Sequence, residues 1–414
     1  MNYFESRYLT LVGYVQSGKT NEEMNYCYNS ITHHKTPVLF IVRNIIADQL
    51  QLRDRFKSFK EINVKSINES NISMDIPCVV ILLCNESQLK KAKKLVIDKK
   101  YNLCIDEVDF SLKTKNESST IDILLNELKQ NANHILGATA TPYALFSAEK
   151  TLTNIKKIQP SNNYHGIEKL KVNFIDSCII KSEYDFPLCD MSAMDTIYSS
   201  LLEKDHSILL HTVVKEKKLH YNLMEYITSN FNEFTVITYN GDGIRISCLN
   251  RTSKIPLADT LTFNKYNQLI NKYIFKDNIH YFKNYTIAEV LQILKEDPYY
   301  NHTHISIIAG QLASRGISFV SSDYNLHLTD QYFHAGKQTH GENLLQSLRI
   351  LGCYNDNIPL TLWCSKVTWE AILEQTAIVN KLVNELDNCR DWMVKIKQIQ
   401  IPHSKRPLTR QKLI

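Results

Sequence analysis

Glycine is scarce in this chain, 11 residues in 414, under half the usual share of about 7%. Each one is therefore expected to answer a backbone need, a tight turn or a close approach to a ligand. Long apolar runs are missing too. No uninterrupted stretch approaches the roughly 18 to 20 residues of a membrane span, so no membrane partner is expected. The opening residues, MNYFESRYLT, lack the basic start and apolar stretch of a secretory leader, and a soluble intracellular protein, cytoplasmic or nuclear, is expected. The ten cysteines contain no C-x-x-C pair, and Cys78, Cys84 and Cys104 sit in apolar runs. Reduced buried thiols are the expectation, against zinc or a disulfide framework. Hydrophobic residues at 43% and charged residues at 22% exclude a disordered or fibrous chain. The net charge of +5 permits a nucleic-acid partner without demanding one.

What the chain does contain is a succession of short, continuous apolar runs. Tyr8 to Val15, Val38 to Val42, Cys78 to Leu83, Leu103 to Ile105 and His134 to Gly137 read as strands, with a helix from Lys19 to Ser30. Runs without alternation suit strands buried on both faces of a parallel sheet. A second series follows at Ser207 to Leu210, Phe234 to Thr238, Ile305 to Ile308, Tyr324 to Leu328 and Leu360 to Trp363. The fold class is α/β. The expected domains are 1–146, a linker with inserted segments over 147–198, 199–366 with an insertion around 244–303, and a helical segment with a basic tail over 367–414.

GYVQSGKT, Gly13 to Thr20, satisfies G-x-x-x-x-G-K-[ST] between a strand and a helix. Gly13, Gln16, Ser17 and Gly18 supply backbone able to wrap a phosphate chain, Lys19 the charge for its end, and Thr20 a hydroxyl for Mg2+. NLCIDEVDF places Asp106 and Glu107 directly after a buried strand. Asp106 suits magnesium and Glu107 suits the attacking water. GATATPYA follows another strand, with Thr139 and Thr141 before a proline. Taken singly, the acidic turn and the threonines read equally well as a solvated turn and an ordinary strand exit.

In this order the motifs resemble superfamily two helicases and translocases of the DExD/H type. IIAGQLASRGISF, with Arg315 and Gly316, looks like that family's fifth motif, and GENLLQSLRILG, with Gln346 and Arg349, like its sixth. The style of VQSGKT, LLHTVVKEKKLH, GQLASRGISF and QSLRILG is closest to the Z-one family of endonuclease-associated ATPase domains. The resemblance implies two RecA-like domains with a nucleotide cleft between them, ATP and Mg2+ as cofactors, and Gln346 and Arg349 facing the nucleotide. It implies a nucleic-acid partner, DNA in preference to RNA, and a nuclease or other replication, repair or transcription partner. Contacts to that strand would come from Arg43 and Asn44, Thr139 and Thr141, and His211 and Thr212. Two departures stand out. A cysteine follows LRILG where the family carries tyrosine-arginine, and only twelve residues precede Gly13, leaving little room for an upstream adenine contact. A nucleotide-gated binding subunit that does not unwind strands is the alternative. The lysine run Lys90, Lys91, Lys93 and Lys94 reads as a solvated helix face.

Overall fold

The computed structural model describes residues 2–108, 119–140, 154–175, 191–212, 217–247, 279–282, 285–296, 304–310, 313, 316–335, 341–354 and 358–386. The chain divides into two compact units, which among the described residues comprise 2–164 with 374–386, and 165–373.

The first unit holds a seven-stranded sheet of β1 (Tyr8–Val12), β2 (Val38–Val42), β3 (Val64–Ser66), β4 (Val79–Leu83), β5 (Asn102–Ile105), β6 (Ile135–Thr139) and β7 (Ile155–Lys157). Its order is β3-β4-β2-β5-β6-β1-β7, and every pairing is parallel. The reason is visible in VLFIV and VVILL, buried at all five positions each. Alternate residues serve opposite faces. Val38, Phe40 and Val42 pack with Met24, Tyr26, Cys27 and Ile31 of α1 (Lys19–Thr32) and with Leu52 and Phe56 of α2 (Ile46–Phe56). Leu39 and Ile41 pack on the other side with Leu89 and Ala92 of α3 (Glu86–Leu95) and Leu124, Leu125 and Leu128 of α4 (Thr120–Asn131). Each such aliphatic side chain contributes roughly 1.5–3 kcal/mol on burial. Because the strands are parallel, the residues after Val12, Val42, Leu83, Ile105 and Thr139 all emerge at one edge.

In the second unit the sheet has eight strands: β9 (Leu170–Phe174), β10 (Ile208–His211), β11 (Phe234–Asn240), β12 (Gly243–Ser247), β13 (Ile279–Phe282), β14 (His304–Ile308), β15 (Asp330–Tyr332) and β17 (Leu360–Cys364). The order is β13-β12-β11-β14-β10-β15-β17-β9. Six strands run parallel, and β12 and β13 add two antiparallel strands at one end. Short strands β8 (Tyr164–His165) and β16 (Gly352–Cys353) lie outside both large sheets. Met194, Ile197, Tyr198 and Leu201 of α5 (Met191–Leu202) and Leu223, Met224 and Ile227 of α6 (Lys217–Asn230) cover Leu209, Phe234 and Val236. Among the described residues, further α-helices are α7 (Ile287–Glu296), α8 (Gly341–Gln346) and α9 (Lys366–Leu386).

Two sequence expectations are corrected. The first strand stops at Val12, because Gly13 turns the chain into a loop. The strand expected over Tyr324 to Leu328 lies instead at Asp330–Tyr332. Its polar residues are buried: the Asp330 carboxylate accepts hydrogen bonds from Lys204 Nζ at 2.7 and 2.8 Å, Thr329 Oγ1 at 2.8 Å and Trp363 Nε1 at 2.8 Å. Segment 147–198 supplies β7, β9 and α5, and segment 244–303 supplies most of β12, all of β13 and α7.

Candidate functional site

The loop after β1 is closely folded. Gly13 N–H donates to the Thr139 carbonyl at 3.3 Å and Ser17 N–H to the Tyr14 carbonyl at 3.2 Å. A side chain at Gly13 would bring its Cβ within 2.8 Å of Ser17 Oγ and 3.2 Å of Ile158 Cβ. Gln16 and Gly18 take the left-handed conformation, with φ of 55° and 95°, so the chain doubles back before α1 starts at Lys19. Lys19 is buried, and its Nζ donates to the carbonyls of Tyr14 at 2.6 Å and Gly13 at 3.3 Å. The ammonium thus lies over its own loop. Ser17 Oγ is buried without a partner, and no side chain caps the start of α1. A narrow backbone cradle, an orphaned hydroxyl, an ammonium and a helix N-terminus are what a chain of phosphates requires.

β6 lies between β1 and β5, so the acidic residues after β5 emerge one strand away from the loop. Asp106 N–H continues the ladder onto the Ile41 carbonyl at 3.0 Å. Glu107 then takes φ of 50°, a conformation that costs a side-chain-bearing residue of order 1 kcal/mol or more. Val108 turns under the sheet, against Gly137, where an added Cβ would come within 3.1 Å of the valine. The glycine of GATATP is therefore the seat of the acidic loop. Burial, then the charges of Glu107 and Asp48, push the Asp106 carboxyl up to about 7, against the pull of Arg43 and Lys19. Glu23, on α1 one turn past Lys19, is fully buried. Its carboxyl is raised well above the ordinary range by burial and by Asp106, Cys27 and Glu107, with Lys19 opposing. Lys19, Glu23, Asp106 and Glu107 therefore share one electrostatic neighbourhood. Among the described residues no three His, Cys, Asp or Glu side chains converge as a ready metal cage. Thr20, half-buried at the start of α1, and Asp106 suit a magnesium ion that arrives with phosphates, the usual manner for that cation.

Two of the expected strand contacts are turned inward. Arg43 donates from Nε and Nη2 to both Asp48 oxygens, at 2.8 and 2.9 Å, and is 4% exposed. The pair fixes the start of α2 at the exit of β2, and Arg43 does not reach out toward a ligand. His211 is 0% exposed and neither ring nitrogen has a hydrogen-bond partner. Burial, with the charge of His220, pulls its pKa down to about 3, so it is a neutral core residue. Asn44 is exposed and accepts from Asn85 Nδ2 at 2.9 Å. Asn85 in turn caps α3 by accepting from Gln88 N–H. The lysine run pairs on the surface, Lys90 with Glu86, Lys91 with Asn68 and Lys93 with Glu127, as a solvated face does.

Thr139 is buried at the end of β6, and Thr212 donates its hydroxyl to the Tyr332 carbonyl at 3.0 Å. Gly316 has φ of 70°. Thr141 and Arg315 lie outside the described residues. Gln346 and Arg349 are both buried, and Arg349 Nη1 donates to the Gln346 carbonyl at 3.0 Å. Gln331 of β15 holds this segment at two points, donating to the Ser347 carbonyl at 2.7 Å and accepting from Ile350 N–H at 3.0 Å. Neither Glu23 nor Gln331 belongs to a motif. The signal for Glu23 was a carboxylate on the buried stripe of α1 at Glu23, Cys27 and Ile31, and for Gln331 a glutamine in the short strand before the GENLLQSLRILG segment.

Two largely parallel sheets of this make are tandem RecA-like α/β units. No protein-family model and no curated protein matches the chain. Among solved structures it is similar to Saccharomyces cerevisiae Dbp5 bound to RNA and ADP BeF3, at 11% identity and a TM-score of 0.52, over 95% of this chain and 90% of that one. It is also similar to the Escherichia coli DEAH/RHA helicase HrpB, at 9% identity and a TM-score of 0.52, over 90% of this chain. The chain spans 42% of that longer protein. At such identities the likeness is one of fold.

Proposed function

We propose that the protein is a nucleic-acid-dependent ATPase of the helicase or translocase type, allied to the Z-one domains by motif style. The observation that carries this reading is the meeting of Lys19 with Asp106 and Glu107 at one sheet edge, beside a loop so closely folded that a side chain at Gly13 would crowd Ser17 and Ile158. In the proposed reaction the backbone of Gly13 to Gly18 and the N-terminus of α1 hold the phosphates. Lys19 leaves the Tyr14 carbonyl to take the terminal phosphate oxygens. Thr20 and Asp106 would hold a magnesium ion, which would supply charge neutralisation at the phosphates. Glu107 orients the attacking water and accepts its proton. Arg349 and Gln346, by motif order, are the second unit's candidates for charge at the transferring phosphate, with Arg315 and Gly316 beside them in the motif series.

Asn44 and Thr141 remain the proposed contacts to a nucleic-acid backbone, DNA in preference to RNA, while Thr139 and Thr212 are buried like Arg43 and His211. A specific observation favours a second reading, a nucleotide-gated subunit that binds a nuclease or nucleic-acid partner without moving along it: Arg43 and His211 are withdrawn from the surface. ATP hydrolysis with and without single-stranded DNA, duplex DNA and RNA separates the two. A motor is stimulated by its track, with an affinity that falls steeply with salt as counterions are released. Hydrolysis that no polymer changes favours the gated subunit.

A further inference from the structure

We propose that Glu23 is a positioning residue of the metal–phosphate site, its carboxyl holding a water of the magnesium shell. This rests on the nucleotide-hydrolase reading above.

The helix and the strand put it there together. On α1, Glu23 follows Lys19 by four residues and Thr20 by three, so the three share one helical face. On β5 the residues alternate, and Asn102 and Cys104 turn toward α1, with Asp106 next in the same alternation. Asn102 Nδ2 donates to Ser30 Oγ at 2.8 Å, and Cys104 Sγ reaches Glu23 Oε1 at 4.0 Å. Those two contacts fix Glu23 beside the strand that delivers Asp106.

Nothing in the fold needs a carboxyl at that point. Glu23 is 0% exposed, its Oε2 has no hydrogen-bond partner, and its Oε1 has one long contact to a thiol. A buried polar group without partners is costly, and a core methionine would fill the space with none of that cost. The neighbourhood also holds the carboxyls of Glu23, Asp106 and Glu107 against the Lys19 ammonium, with the Arg43–Asp48 pair beside Asp106 already matched to itself. A divalent cation removes that conflict. No ready three-donor cage exists among the described residues, so Glu23 acts through water, which magnesium retains in its shell.

The test uses the full chain and Mn2+ as the probe, followed by electron paramagnetic resonance with ADP present, in the wild type, Glu23→Gln and Glu23→Met. Melting of the nucleotide-free proteins is recorded alongside. Both variants should lose about tenfold or more in Mn2+ affinity, as outer-shell substitutions do, while metal-free ADP binding holds. Glu23→Met should also melt at a higher temperature than the wild type. Wild-type Mn2+ affinity in both variants, or a lower melting temperature in Glu23→Met, would make Glu23 a core residue and overturn the proposal. A wild type that holds no Mn2+ with ADP would overturn the nucleotide reading itself, and Glu23 with it.

Discussion

In the second unit the buried carboxylate of Asp330 sits at the start of β15 and accepts from Lys204, Thr329 and Trp363. In the first unit the carboxyls of Glu23, Asp106 and Glu107 gather where the strands end, with the Lys19 ammonium turned onto its own loop. One cluster is satisfied by donors and ties strands together; the other crowds carboxyls that raise one another's pKa at the edge where the strands end. The contrast separates charge that stabilises a sheet from charge that the proposed reaction would use, since strain retained in one place must be offset elsewhere in the fold. It also gives the two units opposite responses to acid. Asp106, raised from its ordinary 3.8 to about 7, binds more protons folded than unfolded between those values, so its contribution to stability falls as pH rises through that window. His211, lowered from 6.5 to about 3, binds fewer protons folded, so its contribution is lost as pH falls below 6.5.

The largest expected effect would carry chemistry into the second unit. On the proposed reading of Arg349, which rests on motif order, Arg349→Ala should lower kcat by about 10³-fold with ATP affinity changed far less, as loss of fixed charge felt mainly in the transition state would. Lysine should rescue poorly, lacking the planar fork of donors. Steady-state kinetics on protein shown folded by circular dichroism decides it, and unchanged hydrolysis would confine the chemistry to the first unit.

Glu107→Gln should retain ATP and lose about 10²-fold in turnover through removal of the general base. Nucleotide binding by fluorescence beside single-turnover hydrolysis separates the two effects, and normal hydrolysis would mean the acidic turn is structural.

Asp330→Ala sharpens the other side of the comparison. It orphans the Trp363 and Thr329 donors and frees a lysine already a third exposed, for an expected loss of about 3 kcal/mol. Chemical denaturation should register that loss while nucleotide affinity stays at the wild-type value.

The smallest effects are the pH slopes. Relative to the wild type, Asp106→Asn should remove a fall in melting temperature between about pH 4 and 7. His211→Leu should remove a loss that sets in on acidification below about pH 6.5. Parallel melting profiles in all three proteins would remove the electrostatic contrast.

Much of this was legible in the chain. Val38 to Val42 announces a buried parallel strand without ambiguity, and its bounds are those of β2. The turn after β1 at Gly13 and the chain exit after β5 at Asp106 are legible because a glycine and an acidic run each end an apolar strand. What pattern cannot supply is the partner of a polar side chain. Arg43 reads as a surface cation until Asp48, a helical turn later, is seen to take it, and His211 reads as a strand-exit contact until burial is counted. Asp330–Tyr332 conceals a strand because its charge is neutralised by Lys204, 126 residues away in sequence. Glu23 belongs with these, since only the packing of α1 on β5 brings it to Asp106.

The central claim is that Lys19 and the acidic turn form a nucleotide-hydrolysing centre coupled to nucleic acid. ATP hydrolysis by the wild type and by Lys19→Ala, each with and without single-stranded DNA, tests it most directly. The account predicts turnover in the wild type that rises with DNA, and its loss in Lys19→Ala under both conditions. Hydrolysis by Lys19→Ala equal to that of the wild type, or none by the wild type with any polymer, would contradict it.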